Sequence, residues 1–163
     1  METKSRFWKE RLIVTELKEF LKKHPNTVGV EVMMPDNNGI IRGKRVDIHE
    51  AESLFEKGLN FCAATPLLDS GGDVIDGLIL GSDDGDPDIF GHPVDGSLTP
   101  VPWLEKEMAQ VLITLVGRDG NPYPHEARNV LSRVVQKLAD DDLHATIAVE
   151  LEFYLYLDHD GLM

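Results

Sequence analysis

Two glutamates two residues apart, Glu150 and Glu152, interrupt the otherwise apolar run AVELEFYLYL at 148–157. Alternate side chains of an extended strand share a face, so carboxylates spaced this way have Cβ atoms ~6–7 Å apart and point in one direction. Hard oxygen donors of that kind suit magnesium or manganese, which bind through a few carboxylates and leave other positions to water and phosphate. On pattern alone a plainer reading is the commoner one: a strand with one solvated face carries Glu and Tyr there, and Tyr154 and Tyr156 share the glutamates' face. The opposite face is apolar from Ala145 through Ile147, Val149, Leu151, Phe153 and Leu155 to Leu157.

Other candidates for chemistry are weaker. The run DSGGDVIDGLILGSDDGDPD at 69–88 carries seven aspartates and five glycines, and Asp84, Asp86 and Asp88 alternate within it. A calcium-binding EF-hand loop needs glycine at its sixth position and glutamate at its twelfth, where this chain has Ile89 and Asp95. The run therefore reads as a solvated, turn-rich loop. Cys62, the only cysteine, has no internal disulfide partner and reads as a small buried hydrophobe in a reducing, cytoplasmic compartment. His125, His144 and His159 lack metal-ligand spacing.

Charge narrows the partners. Sixteen basic residues against 29 acidic give a net charge of −13, which repels phosphate backbones and anionic membranes and favours cationic or amine ligands. The start METKSRFWKE lacks a signal-peptide core, and no stretch approaches the ~18–20 apolar residues of a membrane helix.

The elements that must position these residues are set by periodicity. Residues 9–23 place Ile13, Leu17, Phe20 and Leu21 on one helical face and stop at His24-Pro25. Strand patterns at 27–34 and 40–48 flank the turn PDNNG and form a hairpin whose second strand is basic, with Arg42, Lys44 and Arg45 read as surface charge, the commoner role, or as subunit contacts. A helix over 49–57 ends at Gly58, and a strand comes next at 59–64. Residues 58–105 contain no Lys or Arg, and 69–88 form a long loop with short strand pieces near 78–80. Beyond it come a strand at 109–116, a Gly- and Pro-rich linker at 117–124, a helix over 126–141 and the strand 144–157. A helix and one strand with a fully apolar face do not close a layered domain, so the chain from about 120 reads as the start of a second domain. Alternatively, the strand covers the first sheet in one compact fold.

Taken in order, DNNGIIRGKRV at 36–46, DSGGDVIDG at 69–77, PDIFGHPVDGSLTPVPW at 87–103, DGNPYPHEARNVL at 119–131 and VELEFYL at 149–155 resemble the glutamine synthetase superfamily, in particular its γ-glutamylpolyamine branch. The resemblance runs from about residue 10 to 157. It implies an α+β chain: an N-terminal helix over 1–25, a β-grasp-like domain over 26–118, and over 119–163 the first helix and strand of a catalytic domain. It also implies that Glu150 and Glu152 each bind one of two Mg2+ or Mn2+ ions. In such enzymes ATP phosphorylates the γ-carboxylate of glutamate, and ammonia or an amine displaces the phosphate. Asp69 corresponds to the aspartate that helps bind ammonium in ammonia-using members. Its surroundings read DSGG where those members have Asp-Gly-Ser-Ser, which favours a larger amine such as a polyamine; an aspartate serving only its turn is the other reading.

By the same resemblance the complete enzyme is a cytoplasmic homo-oligomer acting on glutamate, ATP and ammonia or a polyamine, with neither nucleic acid nor membrane as partner. This chain is then an N-terminal portion, inactive alone, with Pro102 and Trp103 packed at the domain junction. The alternative is a noncatalytic binding or assembly module that docks on full-length subunits.

Overall fold

A computed structural model describes residues 15–75, 77 and 85–155. Helix α1 occupies residues 15–23, with Leu17 and Phe20 buried, and stops before Pro25 as its sequence dictates. Strands β1 (Gly29–Pro35) and β2 (Ile41–Asp47) form the expected hairpin, in antiparallel register from Gly29 opposite Asp47 to Pro35 opposite Ile41. Asp47 then caps α2 (Ile48–Lys57) by accepting the His49 N–H at 2.9 Å. Gly58, at φ 80°, ends the helix and leads into β3 (Leu59–Cys62).

The last long strand, β6 (Met108–Val116), lies at the centre. The sheet order is β2–β1–β6–β4–β3, with β4 (Asp88–Pro93) between β6 and β3, and with β5 (Thr99–Val101) also paired to β6. β6 runs parallel to β1 and antiparallel to β4 and β5. Its alternation puts Ala109, Val111, Ile113 and Leu115 on the buried face beside Val30, Val32 and Met34 of β1. Ala51, Leu54 and Phe55 of α2, with Leu17 and Phe20 of α1, complete one hydrophobic core. The class is α+β, with a mixed sheet and helices on its apolar face.

Strands β4 and β5 fall almost wholly between the loop expected at 69–88 and the strand expected at 109–116, where the sequence assigned no element. Gly91, Pro93 and Pro100 break the apolar alternation there, but each has a local reason. A Cβ on Gly91 would lie 2.5 Å from Ile113 Cδ1 and 3.0 Å from the Phe61 ring, so close packing of β3, β4 and β6 excludes a side chain. Pro93 ends its strand, and Pro100 sits on β5, which pairs only with β6. Between β4 and β5 the chain detours through 94–98, where Ser97 Oγ accepts the Leu112 N–H at 3.1 Å. Glu16 of α1 accepts the N–H groups of Gly96 and Leu98, each at 3.1 Å, and so ties the helix to that detour.

A third helix, α3 (Ala127–Asp140), comes next, and the chain divides within it into two compact units, Met1–Ser132 and Arg133–Met163. The sheet and core belong to the first. In the second, residues 143–155 carry no regular secondary structure and are exposed throughout. The strand expected over 144–157 is thus not formed in its described part; a strand needs a ladder of N–H and C=O groups with a neighbouring strand, and none of the sheet's strands pairs with residues 144–155. The strand pieces near 78–80 and residues 156–157 lie outside the described residues. No described helix is long and apolar enough to cross a membrane.

The packing at Gly91 makes a test. Gly91→Ala is expected to cost ~1–3 kcal/mol of unfolding free energy through overpacking. Ile113→Val, which removes the Cδ1 that the new methyl meets, should restore part of that loss in the double variant. Additive losses in chemical denaturation would contradict this packing.

Candidate functional site

The best-organised polar cluster lies where the β1–β2 turn meets the loop after the 3-10 turn Thr65–Leu67. Its base is Asp36, whose side chain is fully buried. Oδ1 accepts the N–H groups of Asn38 at 2.8 Å and Ile40 at 2.9 Å, and Oδ2 accepts Arg42 Nε at 2.9 Å. Burial pushes the Asp36 carboxyl up, but the Ile40 N–H, the Arg42 guanidinium and the Asn38 N–H together outweigh it and hold the group below its ordinary value. A buried charge without such partners would be strongly destabilising.

From this base the turn grips the loop. The Asn37 N–H donates to Pro66 O at 3.1 Å, Asn38 Nδ2 to Leu68 O at 2.8 Å, and Arg42 Nη2 to Asp69 O at 2.8 Å. Arg42 is therefore not plain surface charge, as the sequence suggested; its side chain is 21% exposed and bridges two segments. Lys44 and Arg45 are closer to expectation. Lys44 donates to Asn60 O at 2.6 Å and lies 4.8 Å from the Phe61 ring centroid, and the 70%-exposed Arg45 pairs with Glu31 at 2.6 Å.

Asp69 organises its own turn. Its Oδ1 accepts the N–H groups of Gly72 at 2.8 Å and Asp73 at 2.9 Å, while its N–H donates to Asp73 O at 2.9 Å. Those backbone donors, Asp73 first, keep the carboxyl below its ordinary value, so it is anionic at neutral pH. Both side-chain bonds land on Oδ1, and the half-buried residue keeps Oδ2 for another donor. The turn role and a cation-binding role are thus compatible.

Glu150 and Glu152 lie in the second unit, both exposed. Among the described residues no group of three or more His, Cys, Asp or Glu side chains could hold a metal ion. The donor set itself fits a hard divalent cation: two carboxylates at alternate positions supply oxygen ligands of the right kind but not a full coordination shell.

Two further features escaped the sequence reading. Glu126 is completely buried and caps α3: it accepts the Arg128 and Asn129 N–H groups, each at 3.0 Å, and the Thr114 hydroxyl at 3.2 Å. Asn129 Nδ2 bonds Leu115 O at 2.8 Å and Tyr123 O at 3.0 Å, which pins the first turn of α3 to β6. No capping-box pattern announced the pair, since the cap is a glutamate and the Asn129 side chain bonds to Leu115 and Tyr123 rather than back to it. Cys62 is half-buried and its thiol donates to the Asp86 carboxylate at 2.6 Å; burial, then that carboxylate, raises its pKa, the opposite of an activated nucleophile. Trp103 is 71% exposed.

No protein-family profile matches the chain. It is 43% identical over 140 residues to γ-glutamylputrescine synthetase of Escherichia coli (strain K12), covering 86% of this chain and 29% of that protein. Type-1 glutamine synthetase 2 of Dictyostelium discoideum is 30% identical over 151 residues, covering 92% of this chain and 28% of that protein. A solved glutamine synthase homologue shares the fold with a TM-score of 0.61 at 22% identity, over 71% of this chain and 27% of that one. The chain spans less than a third of the length of each.

The buried pair predicts an acid response. Because the folded Asp36 carboxyl lies below its ordinary value of 3.8, its stabilising contribution is complete above that pH and disappears as pH falls through the folded value. Asp36→Asn should lower stability at pH 7 by ~1–3 kcal/mol and flatten the acid limb of the stability curve. An unchanged acid limb, read by urea denaturation between pH 2 and about 5, would remove Asp36 from that role.

Proposed function

The chain resembles the N-terminal portion of the glutamine synthetase superfamily, and on that premise we propose that it is the first part of an ATP-dependent glutamate–amine ligase that forms a γ-glutamyl amide through γ-glutamyl phosphate. The observation that carries this reading is the 43% identity, over 86% of the chain, to a protein named for making such an amide. The order of elements supports a β-grasp-like first domain over 26–118: a hairpin, a helix across the sheet, and a final strand parallel to the first. Residues 1–25, which include α1, precede it, and 119–163 open the catalytic domain.

In this reading Glu150 and Glu152 each hold one Mg2+ or Mn2+ ion of the complete enzyme, with the other ligands supplied from elsewhere in it. The cations would offset repulsion between the glutamate carboxylate and the ATP phosphates. Asp69 receives the amine through Oδ2, and the small residues Ser70, Gly71 and Gly72 around it suit an amine larger than ammonia. The exposure of Ile147 at 78%, Val149 at 81%, Leu151 at 82% and Leu155 at 89% supports covering layers in a longer protein, since such a row of large apolar side chains is unfavourable in water. Homo-oligomeric assembly and a cytoplasmic setting belong to the same proposal.

A second reading, a noncatalytic binding or assembly module, is favoured by one observation. The first unit has a continuous core of its own, from Leu17 to Tyr123.

The 163-residue chain alone is expected to show no ATP-dependent amide formation with glutamate and any amine, because it spans under a third of the ligases it matches; measurable turnover would overturn that. With the chain joined to a catalytic remainder, Glu150→Gln and Glu152→Gln should each raise the Mg2+ or Mn2+ concentration for half-maximal activity by about tenfold or more, with folding intact. Leu151→Ala should instead cost ~2–5 kcal/mol of stability without changing metal dependence. Wild-type metal dependence in both glutamine variants would return the pair to a solvated face and favour the module reading.

A further inference from the structure

We infer that Arg42 is the positioning residue of the amine site: neutralised from behind by Asp36, its guanidinium holds the Asp69 loop by the main chain and leaves the Asp69 carboxylate for an external cation. The inference rests on the reading of Asp69 as the amine's partner and adds what makes that aspartate usable.

A carboxylate binds a protonated amine well only when it is fixed in place and not already paired with a cation of the protein. Both conditions are met here by one side chain. Arg42 Nη2 donates to the Asp69 carbonyl at 2.8 Å, while the Asp69 carboxylate takes its bonds from the backbone N–H groups of Gly72 and Asp73. The direct ion pair of the guanidinium is with Asp36, 2.9 Å from Nε, whose own position is set by the N–H groups of Asn38 and Ile40; Asp69 feels the Arg42 charge but makes its bond to it through the main-chain carbonyl. A continuous series of bonds therefore runs from the hairpin turn to the loop that presents Oδ2.

The chemistry requires arginine. One donor must reach Asp36 and another, on the same rigid fork, must reach the Asp69 carbonyl; a lysine ammonium is a point charge on a flexible stem and does not span the two with fixed geometry. The loop has adapted to the guanidinium as well. Gly72 stands at φ +95°, and a Cβ there would lie 3.2 Å from Arg42 Nη1. Glycine at this position adopts that φ without strain and lets the loop close over the arginine.

Amide hydrogen exchange on the 163-residue chain and amine kinetics in the complete ligase test this together. Arg42→Lys keeps the charge beside Asp36 but loses the second donor. It should accelerate exchange at the Gly72 and Asp73 amides about tenfold while β1 and β6 stay protected. In the ligase it should raise KM for the amine about tenfold, with KM for glutamate and ATP and kcat little changed. Unchanged exchange and amine KM in Arg42→Lys, with amine KM raised in Asp69→Asn, would overturn the inference and leave the Asp69 reading standing. Unchanged amine KM in Asp69→Asn would overturn that reading itself, and the role of Arg42 with it. If Arg42→Lys does not fold, Gly72→Ala, which presses on the guanidinium from the loop side and leaves the Asp36 pair alone, must give the same selective rise in amine KM; otherwise the inference fails.

Discussion

A fully buried aspartate governs how the first unit is put together. Asp36 sits at the end of β1 where the chain must reverse, and its ionised carboxyl is tolerable only with three donors around it. Two come from the turn and fix its shape, which in turn sets the register from Pro35–Ile41 back to Gly29–Asp47. The third comes from Arg42, on the returning strand. Because β1 also pairs in parallel with β6, this one constraint is felt through the centre of the sheet. The same arginine, already committed to Asp36, is thereby placed to hold a loop 27 residues away in sequence.

A comparable device operates at the start of α3. Glu126 and Asn129 take their partners from Thr114, Leu115 and Tyr123, and Tyr123 donates its hydroxyl to Ala63 O at 2.9 Å. Hydrogen bonds among buried polar groups thus attach the helix start to β6 where an apolar contact would have specified its position less sharply. Further along, Val134 and Val135 are about half exposed, and the segment after the helix exposes apolar residues on one alternating face. Sequence pattern and structure agree on the helix and disagree on residues 143–155.

That disagreement marks the limit of what the sequence could say. The hairpin, α2 and the central strand were legible because their apolar period matched the face they bury and because the turn PDNNG and Gly58 punctuate them, whereas the Asp47 cap lay inside the expected strand. β4 and β5 were not, since Gly91 is required by the neighbouring Ile113 and Phe61 side chains, information carried by other strands and not by the local pattern. Arg42 looked like surface charge for the same reason: its partners Asp36 and Asp69 are six and 27 residues away. At Asp69 the sequence sets a turn role against a site role, and the geometry gives one carboxylate with an oxygen for each.

The two sets of proposed site residues therefore differ in kind. Asp69 is held by hydrogen bonds that begin and end within residues 36–73, so its geometry is a property of this stretch of chain. Glu150 and Glu152 have no such local support. Alternation can send two carboxylates to one side of a strand, but the strand exists only when neighbours complete its ladder and cover its apolar face. Strand-forming sequence without those neighbours leaves Leu151 and Phe153 in water at 82% and 75% exposure, a state that association with further protein relieves. On the proposed reading, the positions of Glu150 and Glu152 depend on neighbours that complete their strand, whereas the position of Asp69 is fixed by bonds within residues 36–73.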